Sequence, residues 1–287
     1  MSSTVPISVR VALHTVGSCR ERAWLADGSR SLAYRTFPAL VVRLLHPRVG
    51  VVLFDTGYGT ALSAATSPAA RIYRRVLPFT LPREHEVDRQ LGGGDRNCSQ
   101  IAAIFLSHFH PDHIGGLRAL PGVPIVCSRD GLARLRSLGA IARLRNAFLP
   151  ELLPEDFDAR AGAIEERPRV ALGEEWSPFE YAHDLLGDGS LLAVELPGHA
   201  LGQYGLICRL AGGRDLFLVA DAAWLRSNYA DLALPAWPAR HLLGDARALA
   251  ETLGKLHALA ARRPDLFIVP SHCEASQRAF TEGGHGD

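Results

Sequence analysis

Residues 107–116 read Ser-His-Phe-His-Pro-Asp-His-Ile-Gly-Gly, directly after the apolar run Ile101–Leu106. Four potential metal ligands, His108, His110, Asp112 and His113, thus crowd the end of a buried strand. His108 and His110 are two apart and project to one side of an extended chain. Asp112 and His113 follow as the chain turns toward a helix near Gly115-Gly116. Imidazole with carboxylate is the donor set of borderline divalent cations such as zinc. The fold that carries this cluster must deliver further ligands to the same place, as a sheet does when its strand ends share one edge. Three later residues fit: His199 in Pro197-Gly198-His199 after Leu191–Glu195, Asp221 after Leu216–Ala220, and His272 in Pro270-Ser271-His272 after Leu266–Val269.

The remaining pattern predicts an α/β chain. Ile7–His14, Ala39–Leu45 and Val49–Phe54 read as strands, the last two forming a hairpin about His46-Pro47-Arg48. Ala61–Ala70 and Arg71–Leu77 read as helical, ended by Pro78, Pro82 and Gly92-Gly93-Gly94. Pro124–Cys127 is a short strand, Arg129–Phe148 helical, and Leu149–Arg167 loop. Strands Leu191–Leu196, Gly205–Leu210 and Leu216–Ala220 follow, then an amphipathic helix Arg240–Arg262 and the strand Leu266–Val269. With no repeat and no low-complexity linker, one domain over residues 1–287 is expected, with insertions at about 58–97 and 129–167.

Thirty-one Lys and Arg balance 30 Asp and Glu, for a net charge of +1. That leaves no overall basic footprint for nucleic acid. Arginines do cluster at Arg71, Arg74 and Arg75, and at Arg134, Arg136, Arg143 and Arg145, and are read as solvated helix faces. Five scattered cysteines without a CxxC pair argue for a reducing compartment. No signal peptide and no run of about 18 apolar residues is found, so a cytoplasmic location without membrane attachment is expected.

His108-Phe109-His110-Pro111-Asp112-His113 resembles the HxHxDH signature of the metallo-β-lactamase superfamily. Asp55-Thr56-Gly57, Pro197-Gly198-His199, Asp221 and His272 are similar to its other motifs, in the same order, over residues 7–275. The resemblance implies an αβ/βα sandwich with helical insertions over a metal edge. It implies a first metal on His108, His110 and His199, a second on Asp112, His113 and His272, Asp221 bridging them, and Asp55 orienting the ligand loop. Zinc is the default ion, with iron, manganese and cobalt compatible.

Within the superfamily the layout is most similar to the N-acyl homoserine lactonase (quorum-quenching) branch. That similarity implies hydrolysis of a lactone or ester with an apolar group by a metal-bridging hydroxide, with Asp112 and Asp221 catalytic. The alternatives are a thioesterase or phosphodiesterase of the same fold, or a ligand-binding effector without turnover. The partner is a small molecule, and the chain is a monomer or homodimer. Two departures stand out. Gln203 occupies a position that often holds a second histidine, and Trp224 stands where the lactonases carry a substrate-binding tyrosine. Trp224 is therefore expected to face the substrate, and Tyr229, the nearest tyrosine, is a further candidate contact. The two insertions, with Leu77, Phe79 and Leu81, are expected to cover the metal edge and line the acyl site.

Overall fold

The computed structural model describes residues 7–91, 100–242 and 244–285. The Gly92-Gly93-Gly94 run, the end of the first insertion and Cys98 lie outside the described residues.

Two sheets form the centre. Strands β1 (Arg10–Arg22), β2 (Tyr34–His46) and β3 (Gly50–Phe54) make an antiparallel meander. β4 (Phe79–Thr80) pairs with the outer edge of β1. β5 (Ile101–Phe105), β6 (Ile125–Cys127) and β7 (Ala161–Ala163) add in parallel beyond β3, giving the order β4-β1-β2-β3-β5-β6-β7. The second sheet runs antiparallel through β8 (Arg169–Ala171), β9 (Tyr181–Asp184), β10 (Leu191–Glu195), β11 (Tyr204–Arg209) and β12 (Asp215–Ala220). β13 (Phe267–Pro270) closes it, parallel to β12.

The strand sequences explain the layering. In β2, Leu40, Val42 and Leu44 face the second sheet, while Ala39 and Val41 face the helices outside. Side chains alternate across a strand, so a run apolar at every position is buried on both faces. Leu191, Leu206, Leu216 and Leu218 meet the β2 residues between the sheets. The helix Ala246–Arg262 covers the outer face of the second sheet through Leu249, Leu253, Leu256 and Leu259. Its N-terminus is capped by Asp245, which accepts from the backbone N–H groups of Arg247 and Ala248 at 3.0 Å each. This is the mixed α/β, two-sheet sandwich expected. Among the described residues no helix is long and apolar enough to cross a membrane.

Several boundaries differ from expectation. The helix expected at Arg240–Arg262 is two helices, Trp237–Leu242 and Ala246–Arg262. Gly244 interrupts it because the Gly198-His199 backbone passes there: a Cβ on Gly244 would lie 2.1 Å from the Gly198 carbonyl oxygen. Arg129–Phe148 is likewise split, into Arg129–Ser137 and Ala140–Arg145, by Leu138-Gly139. Ser67 caps a new helix, Pro68–Val76, inside the expected Ala61–Ala70 helix. Leu149–Arg167 is not all loop, since it holds the helix Phe157–Arg160 and edge strand β7. The Ala-Gly-Ala of β7 has little β propensity of its own and is held by pairing with β6. Strands β8 and β9 were not foreseen, being short and mixed in polarity.

Candidate metal centre

The site lies at one edge of the sandwich, where strand ends from both sheets meet. β5 ends just before Ser107 and His108, and Pro111 starts the short helix Pro111–Ile114 that carries Asp112 and His113. This turn sits tightly on the end of β3. A Cβ on Gly59 would fall 1.8 Å from the Gly115 carbonyl oxygen, so neither chain could approach so closely with a larger residue.

Asp55 ties the two segments together. Its carboxylate accepts from the Ser107 backbone N–H, the Ser107 hydroxyl and His113 Nδ1, each at 2.7 Å. Asp55 is fully buried and has φ +62°, a conformation Asp and Asn tolerate better than most residues. Burial holds its carboxyl above the usual range, against the opposing pull of His113 and Ser107. The bond to His113 Nδ1 fixes that ring so that Nε2 faces the site. His272 is oriented in the same way, its Nδ1 donating 2.7 Å to the Pro38 carbonyl of β2. His108 Nδ1 lies 3.0 Å from the Ser107 hydroxyl.

His199 arrives on the Pro197-Gly198 turn after β10. The turn is anchored to the helix Ala246–Arg262 by Thr252, whose hydroxyl donates 2.7 Å to the Pro197 carbonyl. Gly198 has φ +128°, and a Cβ there would meet the Leu249 backbone nitrogen at 2.2 Å. Asp221 follows Ala220, itself at φ +48°, which turns the chain sharply out of β12.

The seven predicted ligands converge. His199 Nε2 is 3.0 Å from His110 Nδ1 and 3.4 Å from Asp221 Oδ2. His272 Nε2 is 3.0 Å from Asp221 Oδ2 and 3.4 Å from Asp112 Oδ2. His113 Nε2 is 3.3 Å from Asp221 Oδ1. Two groups result, His108, His110, His199 and Asp221, and Asp112, His113, Asp221 and His272; within each, the ligand atoms all lie within 4.8 Å of one another. Asp221 belongs to both.

The electrostatics fit cations. Burial lowers His108 and His199 well below the ordinary imidazole range, with neighbouring rings adding to the shift, and takes His110 to about 4. These rings are neutral ligands at neutral pH. Burial also acts to lower His113 and His272, but the carboxylates overcome it: Asp221, Asp55 and Asp112 hold His113 well above its usual value, and Asp221 with Asp112 takes His272 to about 9. Burial acts to raise Asp221, yet His272 and His113 hold it well below the usual carboxylate range. Nε2 of His108 and His113 and Oδ1 of Asp221 are buried without a hydrogen-bond partner. Leaving a buried polar atom unpaired costs about 1–3 kcal/mol, so three such atoms within the two ligand groups fit bound divalent metal.

A cavity of ≈ 280 Å³ opens beside these ligands. His110, Asp112, His199, Asp221 and His272 form its floor, and apolar groups, among them Leu25, Phe37, Val76 and Leu77, form its walls. No lysine or arginine lines it among the described residues. Trp224 does, with its ring edge-on to His199 at 5.6 Å between centroids. Arg240 lines a neighbouring space of ≈ 10 Å³, room for about one water, that shares His199, Asp221, Trp224 and Ala239 with the cavity.

Other expectations need correction. Tyr229 does not reach the cavity; its hydroxyl donates 3.2 Å to the Ile268 carbonyl and its ring packs beneath the second sheet. Phe79 and Leu81 do not line it either, though Phe79 stacks behind Tyr58 at 4.7 Å. The second insertion contributes only Ala147. The first insertion does line the cavity, through the mutually hydrogen-bonded Tyr58 and Tyr73 with Val76 and Leu77, and the other walls come from residues not singled out beforehand: Cys19 and Glu21 of β1, Leu25 and Ala26 of the helix after it, and Pro238 and Ala239. Burial pushes both phenols well above their ordinary pKa and takes the Cys19 thiol to about 12, so all three are neutral at pH 7. Asn228, also missed, fixes the Trp224 loop: its side-chain oxygen accepts from the N–H groups of Trp224 and Leu225, and its amide donates to the carbonyls of Ala26 and Ala233.

Comparison with known proteins agrees with this geometry. The chain is 26% identical over 189 residues to the N-acyl homoserine lactonase AttM of Rhizobium johnstonii, a match spanning 63% of this chain and 62% of that protein. It is 29% identical over 194 residues to a probable metallo-hydrolase of Mycobacterium tuberculosis, spanning 65% of this chain and 57% of the relative. The alignments thus cover less than two thirds of either relative. Among solved structures, an N-acyl homoserine lactone hydrolase with N-hexanoyl-L-homoserine bound at its catalytic metal centre superposes with a TM-score of 0.70 at 15% identity, over 96% of this chain and 97% of that one. The family model of the metallo-beta-lactamase superfamily matches residues 39–272, from β2 to the last of the convergent histidines, and the chain belongs to that superfamily.

Proposed function

We propose that the chain is a dinuclear metal-dependent hydrolase of lactones or esters bearing an apolar group, and that residues 1–287 act as one domain. His108, His110 and His199 would hold one cation, zinc by default, and Asp112, His113 and His272 the other, with Asp221 shared between them. When bound, such ions supply a nucleophile from water at neutral pH and polarise the carbonyl under attack. The chain's own residues do the rest. Asp55 and the Pro38 carbonyl hold His113 and His272 in the ligating orientation. Asp112, which lines the cavity, would pass a proton taken from the attacking water to the leaving alkoxide. Trp224 and the apolar walls bind the acyl group and exclude water, and the indole N–H offers one donor.

The observation that carries the substrate class is that, among the described residues, no lysine or arginine lines a cavity whose walls are mostly apolar. A phosphodiester, or a thioester bearing a nucleotide, brings phosphate oxygens that call for cationic partners. An uncharged lactone or ester does not. The names of the AttM relatives and of the product-bound structure point the same way. The test is a panel of acyl lactones, aryl esters, acyl thioesters and phosphodiesters on one metal-loaded preparation. Lactones or esters should give the highest kcat/KM; a phosphodiester turned over fastest would overturn the reading, and binding without turnover of any of them would favour the effector alternative.

A further inference from the structure

The arginine clusters play no part in the metal centre, and their surroundings give them another use. The helices Pro68–Val76 and Ala140–Arg145 pack against each other. Together they carry Arg71, Arg74, Arg75, Arg143 and Arg145 and no acidic residue, in a chain whose net charge is only +1. Arg74 turns inward, donating to the carbonyls of Leu62 and Ala65 at 2.6 and 2.7 Å, and Arg143 donates to the Arg136 carbonyl. Arg71, Arg75 and Arg145 remain exposed. Glu151, beside the start of the first helix, is engaged by the Ser67 hydroxyl.

Apolar side chains are interleaved with these arginines and face solvent. Ile72 is 48% exposed, Val76 63% and Ile141 80%. Ile72 and Val76 are one turn apart, as are Arg71 and Arg75, and Ile141 and Arg145 repeat the spacing on the second helix. Tyr73, Val76 and Leu77 also line the cavity, so this surface runs into its opening. Pro238 and Ala239 also line the cavity, next to Trp237, which is 60% exposed.

We propose that this face seats on an anionic lipid surface and presents the cavity opening to it, so that amphiphilic substrate enters tail-first from the bilayer. Exposed arginines attract acidic headgroups, while aliphatic side chains and a tryptophan at the rim enter the interfacial layer. Aliphatic rather than aromatic side chains between the arginines favour a bilayer over single-stranded nucleic acid, which needs rings for base stacking. The proposal goes beyond the assigned chemistry and does not depend on it, because vesicle binding is read without turnover.

The test is co-sedimentation of the full-length, metal-loaded protein with vesicles of phosphatidylcholine alone and of phosphatidylcholine mixed with phosphatidylglycerol. Binding is expected only to the mixed vesicles, and should weaken as salt shortens the Debye length from about 10 Å at 0.1 M to about 3 Å at 1 M. The triple variant Arg71→Gln, Arg75→Gln, Arg145→Gln should lose about a hundredfold in partitioning, with its melting temperature and its hydrolysis of a soluble ester unchanged. Ile141→Ser should lose up to about tenfold. The wild-type salt response reports on the same electrostatics without any substitution. Absence of binding to mixed vesicles, equal binding to both vesicle types, or undiminished binding by a folded triple variant would overturn the proposal. So would tighter binding to a single-stranded oligonucleotide, or wild-type self-association that Ile141→Glu abolishes, since either would give the face a different partner.

Discussion

Replacing Asp55 by asparagine tests how the ligand loop is held. The substitution keeps the side chain's size and tolerates the φ of +62°, so the backbone has no reason to move. The hydrogen-bond pattern does change. One Asn oxygen can still accept from the Ser107 N–H, and the Ser107 hydroxyl can rotate to accept from the new amide. His113 has no such freedom. Its Nδ1, now 2.7 Å from an acceptor, would face an N–H and would have to give up its proton, which moves the proton to Nε2. That is the nitrogen aimed at Asp221, and a protonated nitrogen cannot bind a metal. Folding stability should fall by only about 1–2 kcal/mol, the scale of one impaired buried hydrogen bond. Affinity at the Asp112, His113, Asp221 and His272 group should fall by about 10–100-fold, or about 1.4–2.7 kcal/mol. Competition with a chelator of known affinity measures the metal term, and thermal unfolding of the metal-free protein measures the fold. An Asp55→Asn protein that keeps wild-type affinity for both metals would refute the orienting role of Asp55.

Gly198→Ala should be severely destabilising, by more than about 3 kcal/mol, because the new Cβ meets the Leu249 backbone nitrogen at 2.2 Å at a φ of +128°; a melting temperature within a degree or two of wild type, read by calorimetry, would mean the turn has room the structure does not show. Trp224→Tyr should raise activity on acyl homoserine lactones relative to bulkier esters, since a phenol both donates and accepts where indole only donates. Unchanged relative rates at normal metal content would remove Trp224 from substrate selection.

The convergence of the seven candidate ligands was legible because each cluster follows an apolar run that reads as a buried strand, and strand ends of a sandwich converge. His108 through His113 announced the edge, and Asp55, His199, Asp221 and His272 arrived there from four other strands. The cavity walls were not legible. Leu25, Ala26 and Ala239 are ordinary helix residues whose position depends on Asn228 tying two distant loops together, a contact with no local signature. Tyr229 was favoured by closeness in sequence to Trp224, but a helical turn carries it to the opposite side, into the core. The break at Gly244 arises from the Pro197-Gly198-His199 turn, far away in sequence, so periodicity alone ran the helix through it. β7, β8 and β9 are only three or four residues long and take their form from neighbours already in the sheets.

The central claim is that Asp221 is shared by two metal ions. Elemental analysis of the purified wild-type, His110→Ala and Asp221→Ala proteins tests it directly, with unfolding curves to confirm that each variant is folded. The account predicts about two divalent ions per chain in the wild type, partial loss in His110→Ala, and loss from both positions together in Asp221→Ala. Full occupancy in a folded Asp221→Ala protein, or a wild-type protein that takes up no divalent metal on reconstitution, would contradict it.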